Sequence, residues 1–165
     1  MSWNNDNIPQ IAYEYDDDEA KHTIAAISAT LDKNNFGDAG ATLRNMMAQT
    51  DVNLEQATKH TADETVREVG NLMKARQYHS KSGYVGHGLM VSNLKDHVDG
   101  KRHTVYTDAT NKGYNYSQAF EFGLLTRDYP AHHPFQDAAS HLGTDKPSGG
   151  LYDGEAEKAI RKGFD

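Results

Sequence analysis

DAGATLRNMMAQTDVNLEQATKH fills residues 38–60, and its spacing sets the architecture. Leu43, Met47, Thr50, Leu54, Ala57 and then Thr61 recur at steps of four, three, four, three and four, the narrow seam of an amphipathic helix. Asp38 stands where an N-cap is expected. A helix over these residues would be roughly 34 Å long at 1.5 Å per residue. A globule of this size has a radius of gyration of only ~15 Å, so the helix either lies along a neighbour or breaks. Thr61-Ala62-Asp63-Glu64 has the form of a capping box and offers a break. Val66, Val69, Leu72 and Met73 then carry a further helical stretch to about Gln77.

Toward the N-terminus, a helix begins near Asp18 or Glu19, with Ile24, Ile27 and Leu31 as one apolar stripe and Ser28 small enough to be tolerated on the same face. Asn34, Asn35 and Gly37 end it. Residues 1–18 form an acidic arm rich in Asn and Asp. Ile11, Tyr13 and Tyr15 alternate there, which fits either a short strand against a partner or a solvated tail.

Toward the C-terminus the character changes at His79, where Ser80, Ser82, Gly83, Gly86 and Gly88 make a glycine-rich approach to a short element at Leu89, Val91 and Leu94. A β-hairpin is expected on Asp99-Gly100, with 103–107 as its far strand. Asn111, Lys112 and Gly113 form a loop, and a short helix packs on the sheet somewhere between Tyr114 and Phe122, stopped by Gly123. Pro134 opens another helix, whose buried face is Phe135, Ala138, Ala139 and Leu142. Residues 143–154 read as a flexible link, and 155–162 as a short final helix. The expected architecture is α+β: N-terminal helices including one long helix, a small antiparallel sheet with a hairpin, and a C-terminal helix packed on it. The arm is 1–18, the single domain 19–142, and the link with its helix 143–165.

Composition bounds the function. Ile, Leu, Val and Phe number 27 of 165 and the mean hydropathy is −0.82, a lean stock for a core when each fully buried Leu or Phe contributes ~1.5–3 kcal/mol. Such a chain is expected to be stabilised partly by copies of itself. No apolar run approaches the ~20 residues of a membrane span, and MSWNNDNIPQ has neither the basic nor the apolar region of a secretory leader. With no cysteine, thiolate metal sites and cysteine nucleophiles are excluded. Of the net charge of −7, six units come from Asp6, Glu14, Asp16, Asp17, Asp18 and Glu19, with no Lys or Arg among the first 20 residues. The remainder is nearly neutral and has no basic stripe, so a sequence-specific nucleic-acid partner is not expected.

No catalytic constellation emerges. His133, Asp137 and His141 at i, i+4 and i+8 resemble a metal set, but the spacing is not HExxH and Pro134 puts His133 outside the helix. His132 and the others read as surface or cap histidines. His87, His97 and His103 flank the hairpin, where alternation separates them. Gly83, Gly86 and Gly88 have the order GxxGxG, not that of a phosphate cradle. No serine sits in a GxSxG elbow. The expectation is a non-enzyme with no cofactor and no metal.

The run Tyr116-Ser117-Gln118-Ala119-Phe120-Glu121-Phe122-Gly123 is followed by Tyr129-Pro130-Ala131-His132-His133-Pro134-Phe135-Gln136-Asp137-Ala138-Ala139. Together they resemble the small neck proteins of tailed bacteriophages, the head–tail joining, tail-completion and tail-terminator proteins. That family's pattern has a Tyr-Ala-aromatic-x-Glu-Phe-Gly element, a variable loop, and Pro-Phe opening a C-terminal helix, after a long helix and a Gly-x-Leu region. Here the pattern covers about residues 36–142. Leu124 stands where the family commonly has Thr, and Gly88-Leu89-Met90-Val91-Ser92 is one residue shorter between Gly and Ser than the family's Gly-x-Leu-x-x-Ser element.

The resemblance implies a structural virion protein, made in the host cytoplasm and placed in the neck or at the top of the tail. It implies a homo-oligomeric ring, hexameric or alternatively dodecameric, that touches adjacent neck, connector and tail-tube proteins and passes DNA through its lumen. A net negative wall would let the duplex slide, within a screening length of ~8 Å at physiological salt. Tyr116, Phe120, Glu121, Phe122, Gly123, Pro134, Phe135 and Ala138 become the structural motif and the candidate subunit contacts. Read physically, Phe120 and Phe122 pack on either side of a local turn, and Gly123 permits φ > 0 where the chain reverses. Glu121 accepts backbone N–H bonds, pairs across a subunit boundary, or is solvated. The readings set against this one are a His-dependent metal-binding protein and a small cytosolic adaptor with an acidic tail.

Overall fold

One helix, α2 (Gly37–Gln77), runs unbroken for 41 residues, roughly 60 Å, and the rest of the chain is arranged along it. The computed structural model describes residues 7–77, 88–111, 113–124 and 128–165. The glycine-rich stretch 79–87, with Gly83, Gly86 and His87, lies outside them. The elements in chain order are β1 (Ile11–Glu14), α1 (Asp18–Lys33), α2, α3 (Leu89–Ser92), β2 (Leu94–Asp99), β3 (Arg102–Thr107), β4 (Thr110–Asn111), β5 (Tyr114–Asn115), α4 (Ser117–Phe122), α5 (Pro134–Leu142) and α6 (Leu151–Phe164). The fold is α+β, as its sequence pattern indicated. No helix among the described residues is long and apolar enough to cross a membrane.

The break expected at Thr61–Glu64 does not occur. Thr61 is fully buried, and its hydroxyl donates to the Ala57 carbonyl at 2.9 Å instead of capping a new helix. Asp38 is not an N-cap either. The helix already starts at Gly37, which leaves Asp38 in the first turn, where the helix dipole favours a negative charge. The helix continues because every stretch of it finds a cover. α1 lies antiparallel along the first turns, with Arg44 2.9 Å from Asp32 and Lys21 3.0 Å from Asp51. α6 lies along the middle, where Asn53 Nδ2 donates to the Ala159 carbonyl at 3.3 Å. The sheet and α5 cover the remainder.

The sheet is antiparallel in the order β1-β3-β2. Ile11 pairs with Val105 and Tyr13 with His103 on one side of β3, and Asp96 with Val105 on the other. Alternation turns Ile11, Tyr13, His103, Val105 and Thr107 inward. The residues 11–14 of the arm are thus a strand of the chain's own sheet. A two-stranded ribbon, β4-β5, precedes α4. The final helix is longer than the expected 155–162, because Tyr152 reaches the core at its first turn.

The core is lean, as the composition requires, and hydroxyls fill part of it. The main cluster joins Ile11, Tyr13, Ala62, Val69, Met73, Met90, Val105, Phe120, Phe135 and Ala138, and a smaller one joins Leu54, Ala57 and Ala159. Between them α2 buries Thr50, Thr58, Thr61 and Thr65, each hydroxyl bonded to the carbonyl one turn back at 2.8–2.9 Å. Tyr13 and Tyr152 bring their own hydroxyls to Thr65 and Thr58, at 2.7 and 3.1 Å. Buried polar groups satisfied in this way add ~1 kcal/mol each in place of a desolvation cost.

α1 departs from its pattern. The residue it buries against α2 is Ser28. A Cβ on Gly40 would stand 3.0 Å from the Ser28 carbonyl and 2.5 Å from Asp32 Oδ1. This close crossing turns the stripe aside, so Ile24 and Leu31 are half-buried and Ile27 is 45% exposed.

Candidate functional site

The motif that carries the resemblance forms one joint between α4 and α5. Asn115 prepares it: its Nδ2 donates to the Thr107 carbonyl at 2.7 Å, while its Oδ1 accepts from the Ser117 backbone and hydroxyl at 3.0 and 2.6 Å. That ties the start of α4 to the end of β3. Tyr116 stands at the N-cap of α4 and packs on the main core.

Glu121 decides the geometry. It is 2% exposed; its Oε2 accepts the Phe135 N–H and its Oε1 the Gln136 N–H, both at 2.9 Å. Pro134 at the first helical position has no N–H to offer, so the carboxylate satisfies the next two donors and sits at the positive end of the helix dipole. Of the three roles open to Glu121 in the sequence, the structure shows the bond to backbone N–H groups. Charge-assisted bonds of this kind contribute about 1.5–3 kcal/mol each.

Gly123 closes the turn. It has φ 74° and ψ 174°, a region occupied almost only by glycine. A Cβ there would stand 2.8 Å from the Tyr129 carbonyl oxygen and 2.9 Å from the Ala131 nitrogen. Leu124 and Tyr129 exchange backbone bonds at 2.9 and 3.1 Å. Phe120, 3% exposed, stacks on His132 with ring centroids 4.4 Å apart and planes 6° apart. Burial, with Arg76 nearby, pushes the His132 imidazole below its ordinary pKa. Arg76 bonds the His132 carbonyl and stands 2.6 Å from Asp137 Oδ2, which anchors the joint to α2.

Pro134, Phe135 and Ala138 are buried beneath this arrangement. Phe122 is not: it is 61% exposed, so the two phenylalanines do not pack on either side of a turn. One enters the core and the other faces outward; Leu124 is half-exposed, and Tyr129 and Pro130 are exposed.

The other candidates are dispersed. Of the apparent metal set, Asp137 is held by Arg76, His141 stands 2.7 Å from Glu68 Oε1, and His133 is the left-handed N-cap of α5. Among the described residues no group of three or more His, Asp or Glu is placed to hold a metal ion. His97 is exposed on the sheet, whereas His103 is buried with its Nδ1 2.6 Å from Asp96 Oδ2. A cavity of about 190 Å³ between β1 and the α5–α6 connection, lined in part by Tyr13, Thr144, Lys146 and Tyr152, is below the ~300 Å³ at which small-molecule pockets begin.

The arm contributes a feature that the sequence reading missed. Asp17 is 5% exposed, bonded to Lys101 and 3.0 Å from Lys21. Burial alone would raise its pKa, but the two ammonium groups outweigh that and hold it at about 2. No family model, curated protein or solved structure matches the chain.

Proposed function

We propose that the chain is a structural virion protein of a tailed bacteriophage, one subunit of a ring at the head–tail junction or the top of the tail through which DNA passes. It acts by contacts with its own copies and with the neighbouring connector and tail-tube proteins, with no catalytic step and no cofactor. The resemblance of residues 116–139 suggests this reading, and one observation supports it most directly. The conspicuous acidic residue of the motif, Glu121, is consumed in capping α5, and the apolar Phe122 of the same helix faces outward. A joint built to hold a shape and offer an apolar contact suits an assembly protein better than a site that transforms a substrate. Exposed Ile27, Phe36, Ile160 and Phe164 at the other end of the molecule add apolar surface of the kind that interfaces use.

Two other readings gain no support. The metal-binding one would need Asp137 and His141, which are engaged with Arg76 and Glu68. The adaptor would need a free acidic tail, but Asp17 and Asp18 are held by Lys101. The genomic neighbourhood tests the proposal: portal, major capsid and tail-tube genes are expected on either side, and a metabolic operon would overturn it.

A further inference from the structure

α1 carries no charged residue from Thr23 to Leu31, and it turns Thr23, Ala25, Ala26, Ile27, Ala29 and Thr30 to solvent. Ala20, Ile24, Ile27 and Leu31 recur at steps of four, three and four, so they share one face, the face that the Ser28–Gly40 crossing leaves aside. Charges stand only at the helix ends, and most are spoken for. Lys21 is held by Asp17 and Asp51, Asp18 by Lys101, and Asp32 by Arg44. Glu19 at one end and Lys33 at the other have no ion-pair partner among the described residues.

We propose that α1 of a second copy of this chain covers this face, antiparallel, about a two-fold axis at Ile27. Charge complementarity sets this orientation. Glu19 lies eight residues before Ile27 and Lys33 six after it. In an antiparallel pair centred on Ile27, Glu19 of one copy falls within about 3 Å, measured along the axis, of Lys33 of the other. Symmetry makes that pair twice, and the helix dipoles oppose. A parallel pair would set Glu19 against Glu19 and Lys33 against Lys33. Small Ala and Thr side chains around Ile27 allow the two helices to approach closely.

One helix–helix contact buries less than the ~800 Å² per partner of a standard interface. It is therefore weak alone and gains strength where many copies are held together. The contact is isologous, unlike the head-to-tail contact that closes a ring, so the two stand or fall separately.

The chain lacks cysteine, which makes a covalent trap clean. Ile27→Cys puts a single thiol on the proposed axis. Val52→Cys, on α2, is the control, since Val52 is 46% exposed against 45% for Ile27. Under mild oxidation Ile27→Cys is expected to form a disulfide-linked dimer at least ~10-fold faster than Val52→Cys, through the raised effective concentration of paired helices. Adding Glu19→Lys is expected to slow the reaction roughly threefold, and adding Lys33→Glu as well to restore it. Equal rates for the two cysteine variants, or a rate for Ile27→Cys indifferent to Glu19→Lys, would overturn the pairing. Neither result bears on ring mass.

Discussion

The carboxylate of Glu121 accepts the backbone N–H of Phe135 at 2.9 Å across 14 residues of sequence, with the Gln136 N–H on its other oxygen. A short helix of nine residues is marginal alone, so this cap decides whether α5 forms where it does. Glu121→Gln keeps the volume but gives up the charge and turns one acceptor into a donor facing N–H groups. We expect a loss of about 2–3 kcal/mol, read as a lower urea midpoint with an unchanged slope. An unchanged midpoint would mean that α5 is held by Phe135 and Ala138 alone.

Gly123→Ala tests the turn between the two helices. The new methyl would need a backbone conformation nearly closed to alanine and would press on the Tyr129 carbonyl at 2.8 Å. The expected cost is at least ~2 kcal/mol. Loss of amide protection should concentrate at Leu124, Tyr129 and His132, whose N–H groups are bonded across the turn. Full protection at those three amides would contradict the geometry.

Asp17 makes the arm an acid-labile fastening. Its folded pKa of about 2 lies below the ordinary 3.8. The depressed value means that the stabilisation is present above the unfolded pKa and is lost as pH falls through 4 toward 2. It amounts to roughly 2–3 kcal/mol. Asp17→Asn should therefore lower stability at pH 7 by about that amount and flatten the acid limb of a stability–pH curve. Parallel acid limbs for the two proteins would rule the fastening out.

Much of this was legible in the sequence, and what was not has identifiable causes. The seam from Leu43 to Ala57, and Gly123 and Pro134 as stop and start, are local signals that lie where their patterns put them, whereas the hairpin turns one residue later than Asp99-Gly100 indicates, on Gly100-Lys101, with Asp99 paired to Arg102. Thr61 misleads because a capping box is judged over four residues, while its burial comes from neighbours far along the chain. Ser28 reads as a passenger on an apolar stripe, yet the absence of a Cβ at Gly40 makes it the contact and turns Ile27 outward. Asp17 looks like part of a solvated acid run; Lys101, 84 residues away, cannot be anticipated from that run. In the motif, Phe120 and Phe122 are alike in sequence and separate only when the α4 helix assigns them opposite faces.

Among the described glycines, Gly163 leaves the least room for a side chain. A Cβ there would stand 1.9 Å from Thr50 Oγ1 and 2.9 Å from Thr50 Cα. Gly163→Ala is expected to push the end of α6 off α2 at a cost of about 1–3 kcal/mol, with faster amide exchange over the last turn of α6. Unaltered exchange there would show that the crossing can relax.

Whether copies of this chain close into a ring is read from native mass spectrometry of the untagged protein. For a subunit of 18.3 kDa, one discrete assembly is expected at six times that mass, or at twelve times for a dodecamer. A single species of 18.3 kDa at every concentration examined would contradict it.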